Sequence, residues 1–195
     1  PLITKIDGVH NLDRVNPRTI LLMSIIKDQE RKGARELIDC LESSTEDSSV
    51  RWKLILIVQT RPGINSWTQN LKKYYSKSKV RENIEIYTNL SPTKVRDYLL
   101  SADLFVLNST KEPASFSQLE AIMCGVPVLL NRHNGSSFFL PEGSGILKYS
   151  GKEELKRALL EGFTKNNELK RQVTLLRGEL ESLYSNGVIA AEWIS

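Results

Sequence analysis

Ser101-Ala102-Asp103-Leu104-Phe105-Val106-Leu107-Asn108-Ser109 leads, two residues on, into Glu112-Pro113-Ala114-Ser115-Phe116-Ser117-Gln118-Leu119-Glu120 and then Ala121-Ile122-Met123-Cys124-Gly125-Val126-Pro127-Val128. The apolar run 104–107 has the length of a strand buried on both faces. Residues 116–124 have helical spacing, and Cys124-Gly125-Val126-Pro127 is a glycine helix stop that runs into the next apolar stretch. A strand, a helix and a strand in so short a span make one crossover unit of a parallel sheet.

Outward from this unit the same alternation continues, as expected of a parallel sheet covered on both faces. Strands are predicted at 19–26, 53–59, 84–87, 104–107, 126–130 and 146–148. Helices are predicted at 32–42, 67–76, 92–101, 116–124 and 152–162, with a long polar helical tail at 166–184. Ser91 followed by Pro92 is an N-cap with proline at the first helical position. Ser115 with Gln118 and Ser117 with Glu120 each match a capping box, so either serine could open the fourth helix. The fold expected is an α/β, Rossmann-like open parallel sheet of about six strands. Residues 1–18 lack periodicity and end near Pro17; they read as an interdomain linker, with 19–195 as the domain and its helical tail.

Composition agrees with an ordinary globular domain: 195 residues, 40% hydrophobic and 26% charged. A net charge of +4 is a mild bias that suits an anionic small ligand or an acidic membrane surface and is no nucleic-acid footprint. Cys40 and Cys124, without metal-ligand spacing, read as buried reduced thiols of a cytoplasmic protein. No apolar run is long enough to span a bilayer. A chain that opens on Pro1 reads as a processed or excised piece.

The chemistry concentrates at Glu112 and Glu120. A strand, a loop and a helix N-terminus in series aim backbone N–H groups and the positive helix end at one spot, which favours a phosphate. Carboxylates beside an anion site are best explained as acceptors for hydroxyl groups on either side of it, as a nucleotide-sugar presents them. For Glu120 the competing reading is closure of the capping box with Ser117, and for Glu112 a solvated loop acid.

The whole pattern, from Ser101 through the Glu112-to-Glu120 spacing to Val128, strongly resembles the C-terminal domain of GT-B fold retaining glycosyltransferases of the Glu-x7-Glu group, the glycosyl transferases group 1 or family 4-like enzymes. Ile6-Asp7-Gly8-Val9 and Asp13-Arg14-Val15-Asn16-Pro17 resemble the linker that opens that domain, and Arg31-Lys32-Gly33 its basic turn. The resemblance implies one half of a GT-B fold. It implies binding of a nucleotide-diphosphate sugar for transfer of a hexosyl unit to a glycan or lipid-linked acceptor, in polysaccharide or glycoconjugate biosynthesis. The implied partner is a missing N-terminal acceptor-binding domain, and the implied place is the cytoplasm at the inner face of the membrane. Alternatives are a non-catalytic nucleotide-sugar-binding module and a nucleotide-sugar epimerase of the same architecture.

Residue by residue, the resemblance implies that Glu120 accepts from the ribose hydroxyls and that Glu112 bonds the sugar and offers negative charge to an oxocarbenium-like transition state. It implies backbone capping of the diphosphate at Ser115, Phe116 and Ser117, and catalytic charge compensation by Lys32. Lys27 stands at the spacing of the family's arginine, unless a one-residue insertion puts Ile25 or Ile26 there. The nucleoside base is expected at Thr88-Asn89-Leu90, held by backbone groups. The glycines usual between the two glutamates are replaced here by Pro113, Ala114 and Ser115, and Pro113 removes one N–H donor. With no Asp-x-Asp element, transfer is expected to need neither cofactor nor metal.

Three further features have two readings each. Gln59-Thr60-Arg61-Pro62-Gly63 occupies the place of a Gly-rich loop, with Arg61 either near phosphate or on the surface. Asn134-Gly135-Ser136 follows the fifth strand as a sugar contact or a plain turn, and His133 beside it reads as a loop residue. Lys72, Lys73, Lys77, Lys79 and Arg81 around Tyr74 and Tyr75 form a solvated helix face or a peripheral membrane contact, while Trp67, Leu71 and Tyr74 or Tyr75 fall at helical spacing and read as core.

Overall fold

A computed structural model of the chain describes residues 19–27, 33–45, 50–60, 66–110 and 115–185. Among them, β1 (Thr19–Lys27), β2 (Arg51–Gln59), β3 (Ile84–Thr88), β4 (Leu104–Leu107), β5 (Val128–Asn131) and β6 (Ile146–Tyr149) form one sheet in the order β3-β2-β1-β4-β5-β6. All neighbouring strands are parallel. The helices are α1 (Ala34–Thr45), α2 (Ser66–Tyr75), α3 (Pro92–Ser101), α4 (Ser117–Met123), α5 (Gly151–Thr164) and α6 (Asn166–Ser185). The expected Rossmann-like α/β architecture is therefore the one observed.

The near-continuous apolar strands follow from burial on both sides. Leu22, Leu54, Leu56, Leu104 and Val106 join one core with Leu37 and Ile38 of α1, Leu71 of α2 and Leu155 and Leu159 of α5. Their immediate neighbours Leu21, Met23, Ile55, Ile57, Phe105 and Leu107 join the other, with Leu99 of α3, Ile122 of α4 and Val173 of α6. Successive side chains thus alternate between two apolar layers, and the buried middle of each central strand reads as a continuous apolar run.

The strand order fixes where a ligand can enter. From β1 the chain steps outward to β3, then returns to place β4 on the other side of β1. Helix α1 consequently lies on one face and α4 on the other. Connections that part to opposite faces leave a crevice at the carboxyl ends of the two strands, and this is where open α/β sheets bind ligands.

The amino end of β4 is tied down instead. Asp103, buried, accepts the Leu21 N–H at 2.9 Å and the Lys170 ammonium of α6 at 2.5 Å. Its N–H donates to Leu21 O and its carbonyl accepts from Asn166 Nδ2. Strand β5 begins two residues later than expected, because the Val126 N–H is spent on Ala121 O at the end of α4 and Pro127 has no N–H to give the ladder. The predicted glycine stop is present: Gly125 has φ +74° and donates to Ile122 O, a left-handed residue that closes α4.

Candidate functional site

Asn108 and Ser109 follow β4 directly and hold the two sides of the crevice. Asn108 Nδ2 donates to Gly33 O at 2.6 Å and to Glu36 Oε2 at 3.3 Å, while its Oδ1 accepts from the Tyr149 hydroxyl. Gly33 also accepts the Leu37 N–H at 3.0 Å, so its carbonyl caps the first turn of α1. Gly33 must be glycine here. Its φ is +67°, and a Cβ would stand 2.4 Å from Asn108 Nδ2 and 2.6 Å from Asn108 O.

Ser109 reaches the other way. Its carbonyl accepts from Asn134 Nδ2 at 3.3 Å, and Asn134 Oδ1 in turn accepts the Ser136 N–H at 3.0 Å. Ser136 Oγ accepts the Ser115 N–H at 3.1 Å, which ties the start of α4 to the 3-10 turn Gly135–Phe138. Asn134 is fully buried. Its side chain organises the wall and is not free for a sugar.

Helix α4 opens without the expected capping boxes. Ser115 Oγ and Ser117 Oγ lie 2.7 Å apart and bond each other, and the N-cap position falls on Phe116, whose side chain caps nothing. Gln118 is 3% exposed and faces the core, while Glu120 is exposed and its carboxylate bonds no described residue. The hydroxyls found a closer partner than the N3 amide. Glu120 is thereby released from a capping role, which removes the competing reading of that residue. The Ser115 N–H, expected on the diphosphate, is already engaged by Ser136. The orphan donors at this end are the N–H groups of Phe116, Ser117, Gln118 and Leu119, which find no acceptor among the described residues, Phe116 and Ser117 being the outermost. Phe116 is 78% exposed.

At the far side of the sheet, Asn89 has φ 50° and donates its N–H to Val58 O at 3.0 Å. Its side chain accepts from the Thr60 N–H at 2.8 Å and donates to Thr60 Oγ1 at 2.9 Å, clamping the ends of β2 and β3 together. Leu90 packs against the second core. Each end of the Asn89 amide is engaged by Thr60. With strands about 4.8 Å apart, this turn stands roughly 14 Å across the sheet from β4.

Lys32, Glu112, Pro113, Ala114, Arg61, Pro62 and Gly63 lie outside the described residues, as do residues 1–18. Lys27 closes β1 opposite Gln59 of β2, its side chain outside the description. His133 is exposed, with its ring 3.1 Å from Ser150 Oγ, as a loop residue would be. Cys40 is buried and its thiol is pushed up to about 11 by burial, ahead of the nearby Glu36 carboxylate; Cys124 is half-buried. Leu71 is core and Trp67 packs against it; Tyr74 is exposed beneath the Arg35 guanidinium, with its hydroxyl 2.6 Å from Asp39. Among the described residues no cluster of His, Cys, Asp or Glu could hold a metal ion, and no helix is long and apolar enough to cross a membrane.

Sequence reasoning placed Ser115, Phe116, Ser117 and Glu120 at the crevice and Asn89 and Leu90 at the same sheet edge. It passed over Asn108, Ser109 and Gly33 as organisers. Their signal was present in a polar pair ending an apolar strand and a glycine directly after the basic turn.

A Rossmann-like sheet with this crevice is common to many proteins, and comparison with known sequences narrows it. The family described as "Glycosyl transferases group 1" matches residues 13–174. The chain belongs to this family. Within the family's reach, it is 26% identical over 149 residues to the lipopolysaccharide glucosyltransferase WaaG of Escherichia coli (strain K12), a match covering 75% of this chain and 38% of WaaG. The chain thus spans well under half the length of that relative.

Solved structures share the family fold. The crystal structure of WaaG superposes with a TM-score of 0.66 at 22% identity, over 91% of this chain and 47% of that one. Anabaena Alr3699/HepE, crystallised in complex with UDP, gives 0.66 at 16% identity, over 86% and 49%. The C-terminal domain of the Francisella tularensis group 1 protein LpcC gives 0.65 at 14% identity, over 79% and 80%. The architecture is that of the C-terminal domain of a GT-B glycosyltransferase.

Proposed function

We propose that this chain is the donor-binding half of a retaining hexosyltransferase, with residues 1–18 as the linker to an acceptor-binding domain and 19–195 as the nucleotide-sugar domain. The observation that carries the reading is the family match laid over a crevice at the β1/β4 switch point, with Glu120 exposed and uncommitted beside it. Glu120 takes the ribose hydroxyl pair, a task suited to a carboxylate because its two oxygens accept two O–H donors. The N–H groups of Phe116 and Ser117 meet the diphosphate, with Ser115 supporting them through Ser136. Lys32, seconded by Lys27, offsets the charge that builds on the leaving diphosphate, the role a metal ion would otherwise fill. Glu112 positions the sugar and offers negative charge to its developing oxocarbenium character. The backbone at Asn89 and Leu90 receives the base.

WaaG is a lipopolysaccharide glucosyltransferase, and HepE was crystallised with UDP and with UDP-glucose. UDP-glucose is therefore the first donor to test, and a lipid-linked glycan at the inner membrane face the first acceptor. The deciding experiment is a thermal-shift panel of UDP, GDP, ADP and TDP with their sugars. A nucleotide at about a hundred times its dissociation constant should stabilise the fold by about 2.7 kcal/mol. If none moves the melting temperature, the donor site is refuted. Because the Glu120 carboxylate bonds no described residue, Glu120→Ala should change stability by no more than about 0.5 kcal/mol while abolishing that shift.

A further inference from the structure

We infer that Asn108 is a positioning residue for diphosphate recognition: its carboxamide bolts the Gly33 turn, and with it the start of α1, to the end of β4, and so sets the wall of the crevice that faces α4. Backbone pairing between β1 and β4 is confined to Leu22 with Leu104 and Met23 with Phe105. Beyond those pairs β1 runs on to Lys27 and β4 ends at Leu107, so no ladder joins the two strands where the crevice opens. A side chain makes the joint instead. Asn108 is 2% exposed and reaches no ligand itself; it acts through what it holds.

The joint has a polarity that a carboxamide satisfies. Its Nδ2 faces two acceptors, Gly33 O and Glu36 Oε2, and its Oδ1 faces one donor, the Tyr149 hydroxyl. Aspartate would set a carboxylate against a carbonyl and a second carboxylate, and an apolar residue would remove the donor shared by Gly33 O and Glu36 Oε2 and the acceptor of the Tyr149 hydroxyl. The approach is also close, since a Cβ on Gly33 would meet Asn108 Nδ2, O and Cγ at 2.4 to 2.8 Å. Amide, glycine and tyrosine together form one joint between α1, β4 and β6, in which the Glu36 carboxylate, the longer of the two contacts to Nδ2, is the one charged member. Gly33 directly follows Lys32 in sequence. The base side of the crevice is clamped separately, by Asn89 and Thr60.

This inference rests on the donor-site reading and separates from it in one experiment. Dissociation constants are measured by calorimetry on the full chain for UDP, GDP, ADP and TDP, and for the monophosphate of whichever binds best. Asn108→Ala should weaken the diphosphate about tenfold and leave the monophosphate within about twofold, collapsing the preference between them. Tyr149→Phe keeps the buried ring, removes only the hydroxyl that orients the carboxamide, and should move the same ratio about threefold; it serves where Asn108→Ala does not fold. A preference that stays at the native value, whether both affinities hold or both fall together, overturns the positioning role while the donor site stands. Failure of the native chain to bind any of the four diphosphates overturns both.

Discussion

The two ends of β4 are fastened by opposite chemistry. At the amino end a buried carboxylate, Asp103, takes a backbone N–H and the Lys170 ammonium and draws α6 onto the sheet. At the carboxyl end the fastenings run through the Asn108 amide, the Tyr149 and Ser136 hydroxyls, the Asn134 amide and backbone groups, with the Glu36 carboxylate as a longer second acceptor of the Asn108 amide. A charge committed to a structural pair cannot answer a ligand, and one left beside a diphosphate would attract or repel it before any specific contact formed. Mostly neutral fastenings, with Glu36 the one carboxylate among them, shape the crevice with little charge of their own. The end that carries only structure can use a charge, and the end that faces the ligand holds its walls largely without one.

The comparison breaks first at Asp103. Asp103→Ala strips the Leu21 N–H and the Lys170 ammonium of their shared acceptor, and removing one member of a buried pair costs several kcal/mol. Because Lys170 is partly exposed, a loss of about 3 kcal/mol is expected in urea denaturation, with nucleotide affinity unchanged in the fraction that stays folded. A comparable loss of affinity would show that the two ends are not independent.

Gly33→Ala attacks the other end. The left-handed φ costs about 1 kcal/mol for alanine, and the collision with the Asn108 side chain and carbonyl adds to it, giving a destabilisation of about 2 kcal/mol. Here affinity should fall with stability, as the variant displaces the wall itself. If urea denaturation shows no loss, the close Gly33–Asn108 contact is not as tight as described.

The asymmetry between the ends also explains what could be read in advance. Strand and helix positions were legible because burial on both faces leaves apolar runs such as 104–107, and because Ser91-Pro92 and Gly125 mark their own helix ends through local chemistry. Glu120 and the serines before α4 were legible as a pattern, since their spacing lies within one helix turn or two. The capping box was misread because its partners were counted along the chain, while Ser115 Oγ turned to Ser117 Oγ and the Ser115 N–H to Ser136, 21 residues away. Asn108 was passed over for the same reason. Its partners Gly33 and Tyr149 stand 75 and 41 residues off, and only the strand order brings them to one point.

One charged pair does stand near the carboxyl edge of the sheet, and it tests the argument at its smallest scale. Arg132 and Glu142 meet through two bonds of 2.8 Å, but both side chains are nearly half exposed. The Arg132 guanidinium holds the Glu142 carboxyl below its ordinary value. A carboxyl depressed in the folded state stabilises the fold above its unfolded pKa of about 4.3, and that stability is lost as pH falls through the lower folded value. Discounted for solvent screening, the contribution is about 0.5 kcal/mol or less. The difference in urea stability between the native chain and Glu142→Gln should therefore be small at pH 7, fade as the solution is acidified below pH ~4, and shrink in 1 M salt, where the Debye length is about 3 Å. A difference as large as that for Asp103 would mean that charge fastens this end as firmly as the other, and the distinction between the ends of β4 would not hold.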